Sequence, residues 1–134
     1  MNTIFDTYKP EGYGTVTPYI ISNDAKTLIS FLKNAFYAEV LNLTEVDDKI
    51  RNCILKIGDS CFMVSQSNDK MKNMTTSFYI YTSDVESLHQ NALKHKGVEE
   101  FPPQDMPYED RQSGIKDPTG NYWWISKRLV EKDY

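Results

Sequence analysis

The feature that most constrains this chain is an internal repeat. Tyr19-Ile20 recurs as Tyr79-Ile80, Ser22-Asn23-Asp24 is answered by Thr82-Ser83-Asp84, and Leu28 by Leu88. Self-similarity at a spacing of about sixty residues means that one supersecondary unit is used twice. Each copy opens with a short run of β-branched and aromatic residues, then Ser, Asn or Asp, then apolar residues at helical spacing.

In the first copy, residues 16–22 read as a strand, and Asn23 or Asp24 offers an oxygen to the first N–H groups of a helix. Ala25, Leu28, Ile29, Leu32, Ala35 and Phe36 form one apolar helical face. Strands are expected over residues 39–44, 49–57 and 60–65, with turns at Asp47-Asp48 and Gly58-Asp59. The second copy follows the same order: a strand over 76–82, and a helix started by Ser83 with Glu86 as a capping box. Val85, Leu88, Ala92 and Leu93 would face inward, and Gly97 would stop that helix. A short strand over 98–101 should halt at Pro102-Pro103, before a hairpin of 108–116 and 122–126 around the turn Asp117-Pro118-Thr119-Gly120-Asn121.

The fold class is therefore α+β, built from two βαβββ modules. The expected division is an extension over 1–15, modules over 16–66 and 76–127, a polar linker over 67–75 and a tail over 128–134. One helix covers only one face of its sheet. The other faces must find partners, and two of them together would enclose a cup suited to a small ligand.

Composition narrows the function. A net charge of −4 with no basic stripe argues against nucleic acid. No apolar run approaches a membrane span, and the opening MNTIFDTYKPEGYG has neither the basic start nor the apolar core of a secretory leader. A cytoplasmic location is expected. Cys53 and Cys61 lie in apolar strands, where two buried free thiols are expected rather than a disulfide.

The stretch PEGYGTVTPYI (10–20), the Asp24 helix start, Phe36-Tyr37-Ala38-Glu39 and above all EDRQSGIKDPTGNYWWIS (109–126) resemble the vicinal oxygen chelate superfamily of glyoxalases, bleomycin-resistance proteins and dioxygenases. Within it the PhnB-like branch is the nearest. That branch typically carries Gly-Asp-Arg, a small-residue pair, Asp-Pro-x-Gly-Asn or His, and then Trp. Here Asp110-Arg111, Ser113-Gly114, Asp117-Pro118, Gly120-Asn121 and Trp123-Trp124 stand in those places, with Glu109 where Gly is usual. The backbone before Asp110 is therefore expected to differ. The resemblance implies paired modules, often in a homodimer, and a cup that in the metalloenzymes holds a divalent ion.

The positions matching that family's four metal ligands are Thr17, Met63, Ser77 and Trp124, none of them a competent ligand for a tight site. His89 and His95 fall on or at the end of the second helix and are expected to be exposed. No metal and no cofactor are therefore expected. If Thr17, Ser77 and Trp124 face the cup, as the resemblance implies, strand alternation turns Tyr19, Ile21, Tyr79, Tyr81, Tyr122 and Ser126 there too, and Val16, Ile20, Phe78, Ile80, Trp123 and Ile125 toward the helices.

The candidate ligand-binding set is Tyr19, Met63, Tyr79, Tyr81, Tyr108, Arg111, Tyr122 and Trp124. The rings would suit a flat or amphipathic ligand, or else fill the cup or a dimer interface. Arg111 would anchor a carboxylate or phosphate, or else brace Glu109, Asp110 or Asp117. Three functions stay open: a metal-free binder of a small aromatic or amphipathic molecule, a glyoxalase-like lyase or isomerase with a non-standard or absent metal site, and a dimeric module with a filled cup. No catalytic residue is assigned. The expected partners are a small molecule and a second copy of the chain, with neither nucleic acid nor membrane.

Overall fold

The computed structural model describes residues 3–134. Among these, the first unit comprises β1 (Tyr19–Ser22), α1 (Ala25–Phe36), β2 (Glu39–Val46), β3 (Lys49–Ile57) and β4 (Ser60–Gln66). The second comprises β5 (Ser77–Tyr81), α2 (Val85–Lys94), β6 (Val98–Asp105), β7 (Asp110–Lys116) and β8 (Tyr122–Arg128). Each unit makes its own four-stranded sheet, ordered β1-β4-β3-β2 and β5-β8-β7-β6. In both, the first strand lies parallel to the last and the remaining pairs are antiparallel. The α+β architecture of two βαβββ modules is thus present. No helix among the described residues is long and apolar enough to cross a membrane.

The helices cover one face of each sheet. α1 buries Ala25, Leu28, Ile29, Leu32, Ala35 and Phe36, together with Phe31, against Ile20, Leu55 and Val64 of the first sheet. Burial of such side chains contributes about 1.5–3 kcal/mol each. Asp24 caps α1 by accepting from the Thr27 N–H at 3.1 Å. The two units meet through their helices: the Asn91 amide donates to the carbonyls of Asn34 and Ala35, each at 2.9 Å, satisfying two groups at the end of α1. The Trp123 indole lies between Phe36 of the first unit (5.2 Å) and Phe78 of the second (4.7 Å).

Four local expectations need correction. α2 is capped by Asp84, which accepts from Ser87 N–H at 3.0 Å, and not by Ser83. The carboxylate makes the stronger, charge-assisted cap, and Glu86, the supposed capping-box partner, is instead engaged by Arg111. β6 does not halt at Pro102-Pro103. It is an edge strand that runs on to Asp105 through a register shift between Phe101 and Gln104, where missing N–H groups are tolerated. β1 starts at Tyr19, and Val16 is exposed to solvent instead of facing the helices.

The fourth correction is His89, expected on the surface and found fully buried. It occupies the turn after Val85 on the inner face of α2. Its ring is satisfied at both nitrogens, by Ser113 Oγ at 2.7 Å and Glu99 Oε1 at 2.7 Å. Cys53 and Cys61 are buried free thiols. They sit opposite Val64 and Lys56 in the β3–β4 ladder, so they point to opposite faces of the sheet. Burial pushes the Cys53 thiol pKa up, and the Lys33 charge partly opposes that.

Candidate functional site

The β7–β8 hairpin sets the site. Its turn is held by Asp117, whose carboxylate accepts from the N–H groups of Thr119 (2.8 Å) and Asn121 (3.1 Å) and from Trp123 Nε1 (2.8 Å). That turn pairs Lys116 with Tyr122, and the ladder then pairs Gly114 with Trp124, Gln112 with Ser126 and Asp110 with Arg128. These residues share the face of the second sheet turned away from α2. β5 adds Tyr79 beside Trp124 and Tyr81 beside Ser126, and β6 adds Phe101 beside Gly114.

One row across four strands therefore reads Tyr79, Trp124, Gly114, Phe101. The Trp124 indole stacks on Tyr122 (5.6 Å, 10°) and on Phe101 (6.1 Å, 20°). Gly114 makes this possible. A Cβ there would lie 2.7 Å from Phe101 Cε1 and 2.9 Å from Trp124 Cζ3, so the two rings close over the glycine. The result is a flat aromatic band on the sheet.

At one end the band becomes polar. Tyr108 donates to Gln112 Oε1 at 2.5 Å, and Gln112 Nε2 donates to Ser126 Oγ at 2.8 Å. Asp110 is fully buried. Its carboxylate accepts from Arg128 Nη1 at 3.2 Å, from the Tyr79 hydroxyl at 3.2 Å and from the Tyr134 hydroxyl at 2.7 Å. Burial pushes the Tyr79 phenol pKa up to about 12, with Tyr108 and Asp110 adding to the rise and a hydrogen bond with Gln112 opposing it. Tyr79 is therefore a proton donor at neutral pH and not a base.

Of the eight residues expected to line the cup, Tyr79, Tyr81, Tyr108, Tyr122 and Trp124 come together here. Tyr19 and Met63 pair with each other on the open face of the first sheet, where Asn52 donates to the Tyr19 hydroxyl at 3.1 Å. Tyr19 lines a separate cavity of about 790 Å³ with Ile21, Arg51, Ser65, Gln66 and Met74. Arg111 lies on the helix side of the second sheet. Its guanidinium is taken by Glu86 and, at 3.0 Å, by Asp105, not by Glu109, Asp110 or Asp117. That pairing holds the Glu86 carboxyl below the usual range. Asp110, Gln112, Ser126, Arg128, Phe101 and Tyr134 also lie at this face and were outside the eight-residue set expected to bind ligand. The hairpin turn was the signal for the first four, because it fixes which residues share the Trp124 face.

Residues 21–125 match the model of the Glyoxalase/Bleomycin resistance protein/Dioxygenase superfamily. The chain belongs to that superfamily.

No curated protein matches it in sequence. Solved structures share its fold. TioX from Micromonospora sp. ML1 is 18% identical, with 91% of this chain and 100% of that one covered at a TM-score of 0.74. TnmS3 from Streptomyces sp. CB03234, an antibiotic binding protein, is 14% identical over 90% of this chain and 97% of that one, at 0.69. A PhnB protein from Bacillus cereus, a putative 3-demethylubiquinone-9 3-methyltransferase, is 15% identical over 85% and 99%, at 0.67.

The superfamily's metalloenzymes hold a divalent ion, and the residues here do not fit one. The positions that the sequence resemblance matches to those ligands carry the hydroxyls of Thr17 and Ser77, the thioether of Met63 and the indole of Trp124, and Thr17 precedes β1. Among the described residues, no group of three or more His, Cys, Asp or Glu side chains could hold a metal ion. Glu109 adopts φ 66, the left-handed region that suits the glycine usual in the PhnB-like branch. The side chain is accommodated there at the expense of backbone strain.

Proposed function

We propose that the open face of the second sheet binds a small aromatic or amphipathic molecule without a metal ion. The observation that carries this reading is the aromatic band of Tyr122, Trp124 and Phe101 closed over Gly114 beside the buried Asp110. Stacking on such a band gives orientation as well as apolar burial, and the polar end discriminates among ligands. TnmS3 shares the fold and binds an antibiotic, which supports a binding role for this one. The same reading has two chains pairing in the cytoplasm, with exposed apolar residues such as Leu41 and Leu43 (each 46% exposed) offered for contact. Light scattering tests the pairing.

Thermal-shift measurements with bleomycin, an anthraquinone sulfonate and a cationic acridine test the binding role. A saturable rise in Tm for at least one compound, lost in Trp124→Ala, is the expected result. No rise with any of them, together with turnover of the methylglyoxal–glutathione adduct on adding Ni(II) or Zn(II), would replace binding with lyase chemistry.

A further inference from the structure

The segment after β8 folds back over the polar end of the band and places the Tyr134 ring against it. Three contacts hold that ring. The hydroxyl donates to Asp110 Oδ2 at 2.7 Å. It lies 2.8 Å from the Tyr81 hydroxyl, which is left to donate because Tyr134 has given its proton to the carboxylate. The Arg128 guanidinium sits 4.2 Å from the ring centroid, in cation–π range. An acceptor, a donor and a cation over the ring face together form a complete recognition set for a phenol.

The set discriminates by hydrogen-bond character. Asp110, paired with Arg128, accepts at this spot and does not donate, so the group seated there must bring a proton of its own, which an ionised carboxylate lacks. Tyr81 supplies a proton to that oxygen, which an ammonium group could not accept. The hydrogen bond with Tyr81, burial and the hydrogen bond to Asp110 all push the Tyr134 phenol pKa up, so a protonated hydroxyl is the species held there.

The segment is lightly anchored. Leu129 N–H donates to Glu109 O at 2.9 Å, Arg128 donates to the carbonyls of Lys132 (3.0 Å) and Asp133 (3.1 Å), and Lys132 Nζ makes an exposed ion pair with Glu109 Oε1 at 3.8 Å, which contributes little. No residue after Trp123 and Ile125 of β8 belongs to the hydrophobic core. It can therefore lift away without opening the fold, leaving Asp110, Tyr81 and Arg128 with an empty phenol position.

We propose that the ligand of this face carries a phenolic hydroxyl, and that Tyr134 occupies the hydroxyl's position as an intramolecular competitor. This rests on the binding role proposed above and names its ligand class. A ligand must displace the ring, so its apparent affinity is reduced by the fraction of chains that are open.

The test titrates 2-naphthol and its O-methyl ether, 2-methoxynaphthalene, into the full chain by calorimetry. Wild type, Tyr134→Ala and Tyr134→Phe are compared. Tyr134→Ala is expected to bind 2-naphthol about tenfold more tightly than wild type. The ether is expected to bind that variant about tenfold more weakly than the phenol, because it takes away one of the three hydrogen bonds that Asp110 accepts. Tyr134→Phe, which keeps the ring over Arg128 but gives up both hydrogen bonds, should fall between wild type and Tyr134→Ala. Equal affinity of phenol and ether, or no gain in Tyr134→Ala while both compounds still bind, overturns the phenol assignment and leaves the binding role standing. No binding of either compound by any of the three proteins overturns both.

Discussion

Gly114→Ala probes the aromatic band at its tightest point. The added Cβ would meet Phe101 Cε1 at 2.7 Å, Phe101 Cδ1 at 2.9 Å and Trp124 Cζ3 at 2.9 Å. Carbon atoms prefer about 3.5–4.0 Å, so both rings must move by more than half an ångström. Overpacking of that kind costs about 1–3 kcal/mol. Gly114 is not in the left-handed region, so its backbone accepts alanine, and the stiffer unfolded chain returns about 0.4–1 kcal/mol.

The net effect is a loss of about 1–2 kcal/mol, which for a domain of this size lowers Tm by roughly 3–8 °C. Calorimetric unfolding reads this directly. In a Phe101→Leu background much of the clash is gone, and the same substitution should cost about 1 kcal/mol less. A rise in Tm for Gly114→Ala alone, or strict additivity with Phe101→Leu, would show that the rings do not close over the glycine.

Three further outcomes follow from the structure. His89→Leu keeps the helix face apolar but leaves the buried Ser113 hydroxyl without its partner, and urea unfolding should show a loss of roughly 1–3 kcal/mol. Glu109→Gly relieves a left-handed non-glycine residue, worth about 1–2 kcal/mol, against about 0.4–1 kcal/mol lost to the looser unfolded chain, so Tm should rise by a few degrees at most; a clear fall in Tm contradicts the strain. The raised Tyr79 pKa favours the folded state only while its phenol is protonated. That contribution is intact below the ordinary pKa of 10.0 and is lost as pH climbs toward about 12. Phenolate absorbance should show Tyr79 among the late-titrating tyrosines, with Tyr134, and Tyr79→Phe should remove one late equivalent and leave the other.

Much of the fold was legible because two periodicities and a repeat agreed. Residues 25–36 alternate at helical spacing, and 122–126 at strand spacing, with turn residues at Gly58-Asp59 and Asp117–Asn121 marking the hairpins. Alternation along β8 put Trp123 and Trp124 on opposite faces, and the family match at Trp124 said which face was the cup.

The failures have physical causes. Pro102-Pro103 looked like a stop because edge strands tolerate what central strands do not, and position in a sheet is a tertiary property. His89 looked exposed because its partners, Ser113 and Glu99, come from strands across the helix. Arg111 drew attention as the one arginine in the motif. It faces α2 because strand alternation puts 111 opposite 110 and 112, and the even-numbered residues hold the Trp124 face. Tyr134 could not be found from sequence at all, since it reaches the site only by the fold-back of a segment with no period of its own.

The central claim is that ligand meets the band at Trp124. The chain has only two tryptophans, on opposite faces of one strand. A ¹⁵N correlation spectrum therefore shows two indole signals, and Trp124→Phe assigns them. On titration of Tyr134→Ala with 2-naphthol, the Trp124 indole signal should shift saturably while that of Trp123, bonded to Asp117 among the helices, stays put. Movement of Trp123 with Trp124 unaffected, or no movement of either at saturating 2-naphthol, would contradict the account.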